Sequence, residues 1–248
     1  MPVEPKLAAT VILLRQRKPD SDDNCKFEVF MAKRHVNNKF LGEHHVFPGG
    51  SVDIQDTTKE SRARLIRLDE DFVNSLKDIY EIPSIFWIIA IRELFEETGI
   101  LIAAKENGSI IAIPKENKKI FQRYQEDLQK NRKRMTDILI TENLYYNAEK
   151  IRYFGRLVTP AMSPIRFDTQ FFLCEIPQNQ SINLFSDELT EGLWGSPKKI
   201  LKLYRKNQIK IIFPQYSTLR RLKKFKNIQE AFENSKMAFR NNQFIRLK

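Results

Sequence analysis

The chain has 248 residues, of which 42% are hydrophobic and 29% charged, a composition typical of a soluble globular protein with a substantial core. No apolar run reaches the length of a membrane-spanning helix. The two cysteines, Cys25 and Cys174, exclude a disulfide scaffold and a cysteine-based zinc site. With no signal-peptide pattern and no peroxisomal SKL-type tail, we expect a cytoplasmic protein in a reducing environment.

The net charge of +11 is concentrated at one end of the chain. Residues 198–248 carry a net charge of +13, whereas residues 1–197 carry −2. This pattern predicts a polyanionic partner, which is a nucleic acid, an acidic membrane surface or a phosphate-rich small molecule. The alternative is a solvated, lysine-rich helical surface without a partner.

The first half of the chain predicts three strands and a long helix. The strands are Leu7–Arg15, Phe27–Arg34 and Val46–Phe47, and the last of them runs into the turn Pro48-Gly49-Gly50. Residues 51–83 are polar and charged, with helical stretches. A helix then runs from Pro83 to Thr98, and Gly99 stands where a left-handed C-cap is expected.

The second half predicts further helices and strands. Residues 115–147 indicate helix, and strands follow at Ile151–Val158, Phe167–Ile176 and Glu191–Trp194. Three helices are predicted after them, the first with Ser196 as its N-cap, the second after Pro214 and the third around Ile228–Phe239. Mixed strands with helices between and after them predict one α/β or α+β domain covering residues 1–248.

A cluster of carboxylates lies on the helix before Gly99, in the stretch IRELFEETGI. Glu93, Glu96 and Glu97 stand at positions i, i+3 and i+4, so their side chains share one helix face and repel one another. Either water and neighbouring cations screen these charges, or the face holds a strongly positive ion. Hard oxygen ligands of this kind suit Mg²⁺ or Mn²⁺.

Together with the upstream turn FPGG, this stretch resembles the Nudix box, G-x5-E-x7-R-E-U-x-E-E-x-G-U, in which U is a bulky aliphatic residue. The second half of the box is complete from Arg92 to Ile100, and Gly50 corresponds to its first glycine. The box places 13 residues between that glycine and the arginine, whereas this chain has 41. Asp56 stands at the position of the first-half glutamate if the extra residues follow it; otherwise it is an ordinary turn residue.

The split box is similar to that of the long-insertion Nudix subgroup, which includes peroxisomal coenzyme A diphosphatases. The stretches AATVILL, HVFPGG, RFDTQFFLCE, LWGSP and FPQYSTLRRLKKF also fit that subgroup, so the resemblance covers most of residues 8–225. It implies an α/β/α sandwich with a mixed sheet, a helical insertion inside the box at about 57–83, a second insertion at about 115–147, and basic C-terminal helices at about 196–248.

The resemblance also implies roles for individual residues. Glu93, Glu96 and Glu97 would be ligands of Mg²⁺ or Mn²⁺, with the Gly49 carbonyl as a further ligand, and Arg92 would orient the carboxylates. Glu191 or Glu188 would supply a general base from a late loop. Gly49 and Gly50 would turn the backbone against the catalytic helix beside the substrate. We also expect Arg220 and Arg221, in the basic C-terminal region, to bind a substrate phosphate.

The implied activity is hydrolysis of a diphosphate linkage, with coenzyme A (CoA) or acyl-CoA as the leading substrate and ADP-ribose, NADH or another dinucleotide as the runner-up. A Nudix-like module that binds RNA or a protein without turnover is a further alternative. His35, His44 and His45 precede the FPGG turn. They are structural or exposed residues, zinc ligands or a general base. The two insertions are expected to cover the site or to form dimer contacts.

Overall fold

A mixed β-sheet organises the fold in the computed structural model, which describes residues 3–18, 23–38, 41–109, 117–184, 188–235, 237–240 and 243–246. Its main strands are β1 (Lys6–Gln16), β2 (Phe27–Arg34), β8 (Ile151–Val158), β9 (Phe167–Glu175) and β10 (Leu189–Gly195). They follow the order β10-β2-β1-β9-β8, with β1 and β9 parallel and the other neighbours antiparallel. Two short strands join this sheet: β3 (His45–Val46) pairs with β2, and β4 (Gly49–Ser51) pairs with β1.

The sheet is covered on both faces, because successive side chains of a strand point to opposite sides. Val11 and Leu13 of β1 pack in one core with helix α3 (Ile85–Thr98), whereas Ile12 and Leu14 pack in a second core. The second core also contains the helices α6 (Pro197–Arg205), α7 (Phe213–Leu222) and α8 (Ile228–Glu233). The predicted α/β/α sandwich with a mixed sheet is therefore confirmed.

Local sequence signals account for the two best-defined helix ends. Gly99 has a φ of 70° and its N–H donates to the Phe95 carbonyl at 2.8 Å, which is the expected left-handed C-cap of α3. The Ser196 side chain accepts a hydrogen bond from the Lys199 N–H at 3.1 Å and thus caps α6, as predicted.

The two insertions are less helical than predicted. They contain the helices α1 (Lys59–Ala63), α2 (Glu70–Asn74), α4 (Lys118–Gln129) and α5 (Met135–Thr141), together with two short strands, β5 (Leu65–Ile66) and β7 (Tyr145–Asn147). These two strands and β6 (Ala103–Ala104), which lies between the insertions in the sequence, form a second small sheet in the order β5-β7-β6. Strands of two or three residues are too short to show a period-2 pattern, which explains why this sheet was not predicted. Residues 115 and 116 of the predicted helical stretch lie outside the described residues.

The prediction of a helix extending to Phe239 is wrong. Helix α8 ends at Glu233, and β11 (Met237–Arg240) pairs antiparallel with β12 (Gln243–Arg246). The carbonyls of Asn234 and Ser235 instead accept hydrogen bonds from the Arg221 guanidinium, at 2.8 and 2.6 Å. The chain therefore leaves the helix because a tertiary contact takes up these backbone groups. Within the described residues, no helix is long and apolar enough to cross a membrane.

Candidate active site

The glutamate face of α3 lies against the glycine turn of β4. The Gly49 N–H donates to Glu97 Oε2 at 2.8 Å. A Cβ atom added to Gly50 would come within 2.6 Å of Glu93 Cδ, so the carboxylate of Glu93 occupies the space that any other residue at position 50 would fill. The two halves of the split motif are therefore in direct contact, although 41 residues separate Gly50 from Arg92.

Arg92 connects four parts of this site. Its Nε and Nη2 atoms bind the two carboxylate oxygens of Asp56 at 2.8 and 2.9 Å, and Nη2 also donates to the Ser51 carbonyl at 3.1 Å. Its Nη1 atom donates to Glu93 at 2.9 Å and to Glu96 at 3.3 Å. These contacts use all five N–H donors of a guanidinium. Arg92 is 4% exposed, so it orients the carboxylates from inside the protein rather than from its surface.

Asp56 is fully buried and lies where the split-motif alignment puts the first acidic residue. Its Oδ2 atom also accepts a hydrogen bond from the Asp53 N–H at 2.8 Å, which closes a short 3₁₀ turn at Ile54–Thr57. This turn presents Asp56 to Arg92. The extra residues of the box therefore enter the chain after Asp56.

The site holds more negative than positive charge. Burial raises the pKa of Glu93 to about 7, although Arg92 acts in the opposite direction. Burial also raises the pKa of Glu96, and burial together with the charge of Glu93 raises that of Glu97 well above its usual range. Because Arg92 pairs with the Asp56 carboxylate, little positive charge remains near the carboxylates of Glu93, Glu96 and Glu97.

Two residues from the far end of β2 and the start of β10 approach the same carboxylates. The Arg34 guanidinium lies 3.7 Å from the Glu188 carboxylate. Burial is the main cause of the raised pKa of Glu97, the negative charge of Glu188 adds to it, and Arg34 acts in the opposite direction. The Glu188 carbonyl accepts hydrogen bonds from the His35 N–H and the Asn38 side chain, at 2.8 and 3.0 Å. Arg34 is absent from the predicted site, and as a charged residue at the end of a strand it carried no sequence signal.

Glu191 and the two C-terminal arginines lie away from this cluster. The Glu191 side chain is 72% exposed and faces Lys33 at 3.8 Å. Arg220 and Arg221 belong to α7, which packs on the sheet face opposite α3. Arg221 is buried and donates to the carbonyls of Phe154, Asn234 and Ser235. Its guanidinium thus supports the backbone of the second core, and this placement does not favour the predicted contact with a substrate phosphate.

The three histidines make local contacts. The His35 ring accepts from the Asn37 N–H at 3.1 Å, and the His44 ring lies 3.0 Å from the Gly42 carbonyl. His45 is buried, and burial lowers its pKa. In the described part of the chain, no group of three or more acidic, histidine or cysteine side chains is already arranged to hold a metal ion.

The carboxylates of α3 nevertheless fit a divalent cation by their chemistry. In their present geometry Glu93 and Glu96 bind Arg92, and Glu97 binds the Gly49 N–H. Buried carboxylates with insufficient positive charge are costly unless a cation joins them. Mg²⁺ and Mn²⁺ prefer such oxygen ligands and retain waters and substrate oxygens as further ligands. The donor set is thus suited to a hard divalent ion.

Two cavities lie beyond the C-terminal end of α3. One, of about 210 Å³, lies between α4 and residues 179–183 and is lined by Gly99, Phe121 and mainly amide side chains. The other, of about 590 Å³, shares Asn179 and Gln180 with it and extends toward Arg152 and Phe232. The first cavity therefore borders the C-cap of the helix that carries the glutamates.

Comparisons with known proteins agree with this geometry. The NUDT19 Nudix domain family matches residues 73–222, more than half of the chain. The chain is 25% identical to the acyl-coenzyme A diphosphatase NUDT19 of Xenopus laevis over 86% of its own length and 64% of that protein. It is 26% identical to the Gallus gallus protein of the same name, over 90% of this chain and 69% of the relative. The chain thus spans less than two thirds of the Xenopus relative.

A crystal structure of a Nudix hydrolase from Alicyclobacillus acidocaldarius has the same fold, with a TM-score of 0.70 and 24% identity. The similarity covers 93% of this chain and 96% of that structure. The family match, the fold and the contact between the glycine turn and the glutamate helix all agree with the resemblance seen in the sequence. The chain therefore belongs to the NUDT19 Nudix domain family of Nudix hydrolases.

Proposed function

We propose that this protein hydrolyses the diphosphate linkage of CoA or acyl-CoA to 3′,5′-ADP and (acyl-)phosphopantetheine, with Mg²⁺ or Mn²⁺ as its cofactor. The observation that carries the proposal is the trio of glutamates on α3, held against the Gly49–Gly50 turn with too little positive charge beside it. The substrate class is supported by the relatives, which are named acyl-coenzyme A diphosphatases.

The chain's own residues have distinct tasks in this reaction. Glu93, Glu96 and Glu97 hold the divalent ion, which when bound neutralises phosphate charge and acidifies a water molecule. Arg92 keeps Glu93 and Glu96 in place through its Nη1 atom, and its pairing with Asp56 fixes the guanidinium itself. Catalysis of this kind depends on positioning and electrostatic stabilisation, since the protein forms no covalent bond to phosphorus.

We assign Glu188 as the general base in preference to Glu191. The negative charge of Glu188 acts on both Glu96 and Glu97, and its backbone is held by His35 and Asn38. It would accept a proton from the attacking water, whose oxygen bonds to phosphorus as the bridging P–O bond breaks. Arg34, beside Glu188, would then bind a phosphate oxygen of the substrate in place of the C-terminal arginines.

A substrate panel tests the proposal. Metal-free protein is assayed with CoA, an acyl-CoA, ADP-ribose, NADH and capped RNA, with and without Mg²⁺ or Mn²⁺, and the products are separated by chromatography. We expect metal-dependent release of 3′,5′-ADP from CoA or acyl-CoA at the highest kcat/KM of the panel. A higher kcat/KM for ADP-ribose or NADH would reassign the substrate. The absence of turnover on every substrate, together with salt-sensitive RNA binding, would indicate a binding module instead.

Variants identify the site. Glu97→Gln and Glu96→Gln keep the side-chain shape but remove a charge, and we expect each to lower kcat by about two to four orders of magnitude, as for loss of a central electrostatic group. Glu70→Gln is the matched control, because Glu70 is exposed on α2. Near-normal kcat in both α3 variants would move the metal ligands elsewhere.

A further inference from the structure

The C-terminal end of the catalytic helix has an unusual set of hydrogen-bond partners. The last four carbonyls of an α-helix lack intrahelical donors. In α3, the Phe95 carbonyl is satisfied by the Gly99 N–H, but the Glu96 carbonyl receives two side chains of α4. Gln125 Nε2 donates to it at 3.1 Å and Gln129 Nε2 at 2.6 Å. Helix α4 thus holds the backbone of a residue whose side chain belongs to the active site.

Gln125 makes a second connection with the rest of its carboxamide. Its other N–H donates to the Asn183 carbonyl at 2.9 Å, and its Oε1 atom accepts from Asn183 Nδ2 at 3.1 Å. The Asn183 N–H in turn donates to the Thr98 carbonyl at 2.8 Å. Gln125 is 1% exposed, so water does not compete for these bonds. The result is a three-way junction of α3, α4 and the connection from β9 to β10.

This junction holds the end of the glutamate helix against two other segments of the chain. A purely local C-cap would need only Gly99, which already closes the helix. The buried amide of Gln125 instead fixes the Glu96 carbonyl, and with it the C-terminal turn of α3, relative to α4 and Asn183.

We propose that Gln125, assisted by Gln129, is a positioning residue that fixes the C-terminal turn of α3 and thereby orients its glutamates for metal binding. This inference rests on the proposed function, because it assigns Gln125 a role in the same metal-dependent reaction. Gln125 touches neither substrate nor metal and acts through the Glu96 backbone. Groups that orient metal ligands in this way typically change affinity or activity by about 10- to 100-fold when removed.

The test compares Gln125→Met with Gln122→Met. Methionine matches glutamine in length and flexibility but has no N–H donor, so it removes the junction with little change in volume. Gln122 lies on the same helix and lines the same cavity, and its side chain makes no hydrogen bond to another described residue. Gln129→Met is the milder variant should Gln125→Met fold poorly, because it removes one donor to Glu96 and leaves the bonds between Gln125 and Asn183 in place.

Three quantities are measured for each variant: kcat and KM for CoA, Mn²⁺ affinity by EPR titration of the metal-free protein, and Tm. We expect Gln125→Met to lower kcat by about 10- to 100-fold and to weaken Mn²⁺ binding, with KM within about threefold of the wild type. Gln129→Met should show a smaller loss of the same kind, and Gln122→Met should match the wild type.

A lower Tm for Gln125→Met, with kcat and Mn²⁺ affinity within about twofold of the wild type at a temperature where both are folded, would overturn the proposal and leave a simple helix cap. Absence of Mn²⁺ binding by the wild-type protein would overturn it as well. If the wild type binds Mn²⁺ but cleaves no diphosphate, the proposed function fails, and the Mn²⁺ titrations alone then decide whether Gln125 positions the ligands.

Discussion

Replacing Asp56 with asparagine tests whether the split motif is closed by the contact between Asp56 and Arg92. The substitution keeps the shape of the side chain but removes the charge that faces a buried guanidinium. Loss of one partner from a buried ion pair costs about 3–5 kcal/mol. Glu93 and Glu96 still contact the Nη1 atom of Arg92, so we place the loss at the lower end, at about 3 kcal/mol. For a domain of this size that corresponds to a fall in Tm of roughly 6–12 °C.

Urea unfolding of the metal-free protein, followed by tryptophan fluorescence, measures this effect. Asp53→Asn is the matched control: Asp53 is exposed, its side chain caps the following 3₁₀ turn by accepting backbone N–H groups, including that of Gln55 at 3.0 Å, and asparagine is an equally good cap. For the control we expect the free energy of unfolding to fall by less than about 0.5 kcal/mol. A loss below about 1 kcal/mol for Asp56→Asn would refute the reasoning, because Glu93 and Glu96 would then suffice to compensate the buried charge of Arg92 without Asp56.

Three further substitutions separate stability from activity. Gly50→Ala places a methyl group against the Glu93 carboxylate, and we expect kcat to fall by about 100-fold while Tm changes little, since the flexible end of Glu93 can move aside. Tyr80→Phe removes a hydroxyl that donates to Asp168 at 2.9 Å, and we expect a loss of about 1–3 kcal/mol in urea unfolding with kcat unchanged. Arg220→Glu should leave the KM for CoA within about twofold of the wild type in steady-state kinetics, because α7 lies on the other face of the sheet from the glutamates.

The sequence predicts secondary structure best where a local residue pattern extends over many positions. Fourteen residues of α3 with a terminal glycine identify the helix, and the spacing of Glu93, Glu96 and Glu97 is a property of that helix alone. The long strands β1, β2 and β9 are also visible, because each contains a run of four consecutive buried apolar residues.

Features that depend on tertiary contacts were not predictable. The basic sequence around Arg220 and Arg221 is the same whether its side chains face solvent, a substrate or a backbone carbonyl. Only the packing of α7 shows that Arg221 is buried. The junction at Gln125 likewise involves three segments that are far apart in the sequence, and glutamine in a charged helix carries no signal of its own.

The place where the extra residues enter the box explains how the split motif can still work. The contacts of Arg92 with the first half of the motif come from Ser51 and Asp56, both of which precede the extra residues. The inserted segment then leaves the site and packs into the core on the α3 face of the sheet. There the ring centroids of Phe72 and Trp87 are 6.2 Å apart.

This placement assigns different roles to the two insertions. The first insertion enlarges the core that supports α3, because several of its apolar side chains pack in the same core as that helix. The second contributes α4, which contacts the Glu96 backbone and borders the cavity at Gly99. Under the proposed function, substrate selection should therefore depend on α4 and residues 179–183 more than on residues 57–83.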